Sequence, residues 1–295
     1  MNIIVTGDYM IFKLNTKHIF ITTAFLVCGI CCGTLMRYGS VRTMEQQTEV
    51  PLLIVMYHNF LNDTSRCGKY TITPKLFEQD VQYLMDNGYE FVNCSDVIDY
   101  VYNQKPMPRK PVMITIDDGY YNNYTYIFPV MQKYNIKAVI SPIAYESEKY
   151  TQSQDLNPAY ANMAWDNIKE MCDSGLGEVQ NHSYNMHQIN SKVRGCAQLP
   201  GESKKQYTDR LYADLKKAHD LIVTNTGKTP QCMVFPFGMV SNGAGDVVKK
   251  LGYKMSLSCT EGISYINQDK NCLYMLKRNN RPYGISSKEF FEEIE

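Results

Sequence analysis

Residues 111–120 read Pro111-Val112-Met113-Ile114-Thr115-Ile116-Asp117-Asp118-Gly119-Tyr120. A short apolar run with β-branched residues, closed by a turn signal, reads as a buried strand rather than a helix. Two adjacent carboxylates stand at its end. They repel one another at the rim of an apolar strand unless a cation or a shared proton compensates. Asp-Gly is by itself a frequent turn, so the pair takes its meaning from the rest of the chain.

Similar runs recur on both sides. Leu52-Leu53-Ile54-Val55-Met56-Tyr57 reads as a buried strand ending at His58, and Pro74 opens a helix to about Asn87, closed by Gly88. Further strands are expected at Glu90 to Asn93, Lys137 to Ser141, Gly177 to Gln180, Gln231 to Phe235, Tyr253 to Ser258 and Leu273 to Lys277. Between them helices are expected at Ser95 to Tyr102, Tyr124 to Tyr134, Trp165 to Asp173, Ser203 to Thr226 and Gly245 to Leu251, with a last one from Ser286. Apolar runs alternating with helices imply parallel strands joined by crossover helices. Seven or eight such units fit an α/β barrel, complete or incomplete, better than an open sheet. In that architecture chemistry gathers where strands end.

The chain has 295 residues with 30 basic and 30 acidic side chains. No basic stripe appears, which argues against nucleic acid as a partner. Ile19 to Met36 is free of formal charge, follows Lys13, Lys17 and His18, and precedes Arg37. As a helix it would be about 27 Å long, close to a bilayer's hydrocarbon thickness. It reads as an uncleaved transmembrane helix or as a cleaved signal peptide. The expected division is residues 1–37 as cytoplasmic tail and membrane anchor, 38–50 as linker and 51–295 as an extracellular catalytic domain. The seven cysteines beyond the apolar run are scattered and odd in number, so free thiols are expected.

Two more strand ends carry polar residues. Glu178-Val179-Gln180 leads into Asn181-His182-Ser183-Tyr184-Asn185-Met186-His187, and Cys232-Met233-Val234-Phe235 into Pro236-Phe237-Gly238. One carboxylate with two imidazoles is a common ligand set for a catalytic divalent metal that keeps a position open. On a regular helix His182 and His187 would point about 140° apart, so a loop must bring them together. The spare carboxylate can then serve as a base.

Ile116-Asp117-Asp118-Gly119 and the segment Asn181 to His187 resemble the first two motifs of the polysaccharide deacetylases, also called the NodB-homology domain or carbohydrate esterase family 4. The similarity runs from Leu52 to Ile285. It implies a distorted (β/α) barrel that hydrolyses the acetamide of N-acetylglucosamine units. Asp117 would be the general base, and Asp118, His182 and His187 would hold the metal, Zn²⁺ or another divalent transition metal. The five-residue step between histidines resembles the branch acting on poly-N-acetylglucosamine. Peptidoglycan and chitooligosaccharides are the other N-acetylated glycans the resemblance allows.

The chain also departs from the pattern. Its third motif, Val234-Phe235-Pro236-Phe237-Gly238, lacks the usual leading Arg, although the Phe237 N–H can serve an oxyanion and Tyr120 is a second candidate for substrate contact. Arg278 is either a replacement brace for the base or an ordinary surface or substrate-binding arginine. The last motif lacks its histidine general acid, since Leu276-Lys277-Arg278-Asn279 stands there. His58, matched by a histidine in the poly-N-acetylglucosamine branch, is either that acid or a structural hydrogen-bonder. His18 and His219 are expected bystanders. These departures keep open a catalytically weak, membrane-tethered glycan-binding protein and an amidase acting on a non-polymeric substrate.

Overall fold

The computed structural model describes residues 3–6, 9–12, 49–190 and 192–294. The chain divides into Met1–Thr48 and Glu49–Glu295. In the first unit, strands β1 (Ile3–Thr6) and β2 (Tyr9–Phe12) pair antiparallel, where the sequence suggested only a tail. The apolar run Ile19 to Met36 lies outside the described residues. No described helix is long and apolar enough to cross a membrane.

The second unit begins with β3 (Val50–Tyr57), followed by the short strands β4 (Asn59–Phe60) and β5 (Thr71–Ile72). Helix α1 (Pro74–Asp86) starts where Thr73 caps the amide of Leu76 and Pro74 supplies a preset φ. After β6 (Glu90–Phe91) comes α2 (Cys94–Asn103), entered through a capping box of Asn93 and Asp96. The chain continues through β7 (Pro111–Asp118), α3 (Phe128–Tyr134), β8 (Ala138–Pro142), α4 (Ala144–Ser153), α5 (Trp165–Asp173) and β9 (Gly177–Val179). The long helix α6 (Lys204–Thr226) leads to β10 (Cys232–Val234), α7 (Ala244–Lys250), β11 (Met255–Leu257), β12 (Ser264–Ile266), β13 (Asn279–Asn280) and α8 (Ser287–Ile294).

The strands pair in parallel from β3 to β7, β8 and β9. Beyond β9, Asn181 bridges Met233 of β10, β10 pairs β11, and Leu257 of β11 bridges Leu276. Three residues later β13 pairs β3, so the circuit of parallel contacts returns to its start. Antiparallel β12 adds to the outer edge of β3, making the sheet mixed. All eight residues of β7 are buried because both of its faces are covered. Val112, Ile114 and Ile116 pack with Leu53, Val55 and residues of α1, α3 and α5, while Met113 packs with Leu52, Ile54, Val139, Val234, Leu257 and α2.

One expectation needs correction. Leu273 to Lys277 is not a continuous strand: Lys270–Leu273 forms a 3₁₀ turn, and only Leu276 makes a ladder contact before β13. Its apolar spacing reflects Leu273 and Leu276 facing the core, with Met275 exposed. Helix α4 is additional to the expected elements. Its sequence Ala144-Tyr145-Glu146-Ser147-Glu148-Lys149-Tyr150-Thr151-Gln152-Ser153 is almost wholly polar, so periodicity carries no helix signal there.

Candidate active site

Strict alternation along β7 would send Asp117 and Asp118 to opposite faces. The backbone prevents this. Asp118 has φ 67° and Gly119 φ 73°, so the strand ends in two successive left-handed residues. A Cβ on Gly119 would stand 2.8 Å from the Pro142 Cβ, which makes glycine obligatory there. Asn162 donates to the Asp118 carbonyl at 2.8 Å and holds the turn. Ser183 (φ 74°) and Phe237 (φ 57°) repeat the left-handed conformation beyond β9 and β10. Such a residue costs about 1–2 kcal/mol. Asp118 and Phe237 line one cleft, and Ser183 follows His182, which lines it too.

These turns bring together the residues the sequence singled out. Asp118 Oδ1 lies 3.1 Å from His187 Nε2 and 3.5 Å from His182 Nε2. The three ligand atoms fall within 4.8 Å of one another. His182 Nδ1 is 2.8 Å from the Val234 carbonyl oxygen. A carbonyl can only accept, so Nδ1 carries the proton and Nε2 presents its lone pair to the cleft. Asp118 Oδ1 is buried without a hydrogen-bond partner. Burial alone would raise the Asp118 pKa, but His182, His187 and His58 outweigh it and hold the carboxyl at about 2. An ionised buried oxygen facing two imidazole nitrogens is the donor set of a divalent transition metal, and the residues fit such an ion.

Asp117 is held from the opposite direction. Arg278, completely buried, donates through Nη1 to Asp117 Oδ1 at 2.9 Å and Oδ2 at 2.8 Å. The same guanidinium donates from Nε to the Ser258 carbonyl at 2.8 Å and from Nη1 to Thr115 Oγ1 at 3.2 Å. Its burial leaves no room for Arg278 as a surface residue.

His58, Asp117, Asp118, Tyr120, His182, His187 and Phe237 line one cleft of about 370 Å³. His58 Nδ1 is buried without a partner, and burial pulls the imidazole below its ordinary range despite the two aspartates. Tyr120 is pushed up to about 12 by burial and by the neighbouring Asp118. The Phe237 ring packs 4.3 Å from that of His187. Tyr70, which the sequence did not single out, stands at the mouth with its ring 5.0 Å from that of His58. His219 lies elsewhere, bonded to Tyr253. Another residue that escaped notice, Asp214 of α6, accepts from the Tyr184 and Asn185 amides in the loop joining the two imidazoles. Nothing in a polar helix distinguishes such a residue from a solvated one.

Known proteins share these features. Residues 104–256, more than half of the chain, match the family model described as polysaccharide deacetylase. A poly-beta-1,6-N-acetyl-D-glucosamine N-deacetylase of Escherichia coli (strain K12) is 26% identical over 259 residues, covering 81% of this chain but 38% of that protein. This chain therefore spans less than half the length of that relative. The enzyme of the same name from Staphylococcus aureus (strain MRSA252) is 23% identical over 80% of this chain and 74% of its own. A solved de-N-acetylase from Aggregatibacter actinomycetemcomitans superposes with TM-score 0.69 at 26% identity, covering 82% of this chain and 99% of that one. A Streptococcus pyogenes deacetylase, solved in complex with acetate, shares the fold with TM-score 0.68 at 22% identity over 84% of this chain and 100% of its own. From the strand-end motifs, the geometry they build and the family match together, the chain belongs to the polysaccharide deacetylase family.

Proposed function

We propose that this protein removes N-acetyl groups from a polymer of N-acetylglucosamine, with poly-β-1,6-N-acetylglucosamine the first substrate to test. The observation that carries the reading is the pairing of two carboxylates in one cleft: Asp118 converges with His182 and His187, while Asp117 is held by Arg278. The circuit of parallel strands is read as a distorted seven-stranded barrel with this cleft at its mouth. The apolar run Ile19 to Met36 is read as the anchor that leaves the domain outside the cell.

A divalent ion held by Asp118, His182 and His187 would acidify a water and polarise the acetamide carbonyl. Asp117, its carboxylate oriented by Arg278, takes the proton of the water that attacks the carbonyl carbon. The Phe237 N–H is read as the donor to the oxygen that gains charge. As the C–N bond breaks, His58 gives a proton to the leaving nitrogen, and the products are acetate and a free amine. Burial draws the His58 pKa down, so the proton it gives to the leaving nitrogen is the one Asp117 took from the water, handed on before the C–N bond breaks. Tyr70 and Tyr120 supply flat, hydrogen-bonding surface for the sugar.

The test is acetate release by the full chain, loaded with Zn²⁺ or Co²⁺, from poly-β-1,6-N-acetylglucosamine, peptidoglycan and acetylated chitooligosaccharides. Release from at least one is expected. Glycan binding without acetate from any would favour the weak-binding alternative. Position of the buried arginine speaks against that alternative, since it supplies the brace missing from the third motif.

Ion affinity is expected to fall with pH in two stages. Burial would lower the His182 pKa, but the charges of Asp117 and Asp118 reverse this and raise it. Protons therefore compete for His182 first as the pH falls. His187, lowered by burial, joins only at more acid pH, and Asp118 stays ionised to about 2. Titration with Zn²⁺ at falling pH should show the logarithm of affinity falling by about one per pH unit and, once His187 also takes a proton, more steeply toward two. A flat profile would contradict the ligand assignment.

A further inference from the structure

We infer that Asp214 is a positioning residue for the ion site, acting through the loop that carries His187; this rests on the metal-hydrolase reading above. His182 is fixed by its Val234 hydrogen bond. Among the described residues no carbonyl or carboxylate holds the other nitrogen of His187, whose ring rests against Phe237. Its place therefore depends on the backbone of the five-residue step, and Asp214 grips that step at its centre. Asp214 Oδ1 accepts from the Tyr184 amide at 2.8 Å and Oδ2 from the Asn185 amide at 3.1 Å.

The rest of α6 works in the same direction. The carbonyl of Leu215 accepts from Asn181 Nδ2 at 2.8 Å, and Asn181 Oδ1 accepts the Ser183 amide at 2.8 Å. Lys217, three residues along the same helix face, places its ammonium 3.5 Å from the Tyr184 ring centroid. The loop is thus clamped by its amides and by a ring. Burial pushes the Asp214 carboxyl up, and the two amides draw it back. A solvated helix residue would have neither influence. The left-handed Ser183 shows why a clamp is needed: the turn that lets two imidazoles five residues apart converge is unfavourable unless its amides are held.

Asp214→Asn keeps the volume but sets an NH₂ group against one of the two amides. Groups that orient metal ligands typically contribute about 10–100-fold in affinity. Competition of the full chain with a chromophoric chelator should show the Zn²⁺ dissociation constant rising by that factor. The visible spectrum of bound Co²⁺ should change as one imidazole loosens, and kcat should fall more than KM. Asp80→Asn serves as control: Asp80 holds Arg281 Nε at 2.9 Å in a clamp apart from the cleft, so its loss should lower Tm and leave the Co²⁺ spectrum unchanged. If Asp214→Asn fails to fold, Asp214→Glu, which keeps the charge but displaces it, should give the same spectral change in weaker form. A folded Asp214 variant with wild-type affinity and spectrum would overturn the inference. Wild-type chain that binds no ion, or binds one equally well in His182→Ala, would instead overturn the metal reading and this inference with it.

Discussion

Asp117→Asn is expected to keep the ion and lose the reaction. The substitution preserves shape and one acceptor for Arg278 but removes the lone pairs that take a proton. General-base catalysis typically contributes about 10²–10⁴-fold, so kcat for acetate release should fall by that factor with KM little changed. Asp117 is not among the three groups whose ligand atoms converge, so the purified variant should carry as much Zn²⁺ as the parent. Asp118→Asn should lose both ion and activity, because it removes the charge that faces two imidazoles. The contrast between neighbouring carboxylates is the test. It is read from acetate kinetics and metal content on the same preparations. An Asp117→Asn protein within about tenfold of wild type would mean that the proton leaves by another route.

The difference in role between these neighbours was only partly legible in the sequence. The β7 run declared itself because it is long and apolar and ends in a turn signal, and Asp117 and Asp118 could be placed at its rim. Alternation predicts opposite faces for them. Only the left-handed φ at Asp118 puts both in one cleft, and a positive φ at a non-glycine residue has no sequence signature. The histidine step could be read as a pair needing a loop, but not the means of its closure, since Asp214 looks like any acid of a solvated helix. Sequence leaves Arg278 open between two environments, and the stretch before it reads as a strand from Leu273 to Lys277, whereas a 3₁₀ turn and a single ladder contact at Leu276 stand there. Residues that act through neighbours distant in sequence, 161 positions away for Arg278 and Asp117, are where reading by local pattern stops.

That distant pair should also show in stability. Arg278→Met leaves the Asp117 carboxylate buried without its countercharge, and breaking a buried ion pair from one side costs about 3–5 kcal/mol. Loss of the bonds to Ser258 and Thr115 adds to this. Lysine should not rescue, because one ammonium cannot reproduce a planar group that reaches a carboxylate, a carbonyl and a hydroxyl together. The double variant Arg278→Met/Asp117→Asn removes both charges, and replacing such a pair with uncharged groups of similar volume is often close to neutral. It should therefore be more stable than either single variant, in a cycle with coupling of about 2 kcal/mol or more, and still release no acetate. Urea unfolding of the four proteins without added metal measures the cycle apart from the ion. Additive losses would mean that the two charges are not energetically joined in the folded protein. Arg278 would then have to be explained as a core residue, and Asp117 would need another source of orientation.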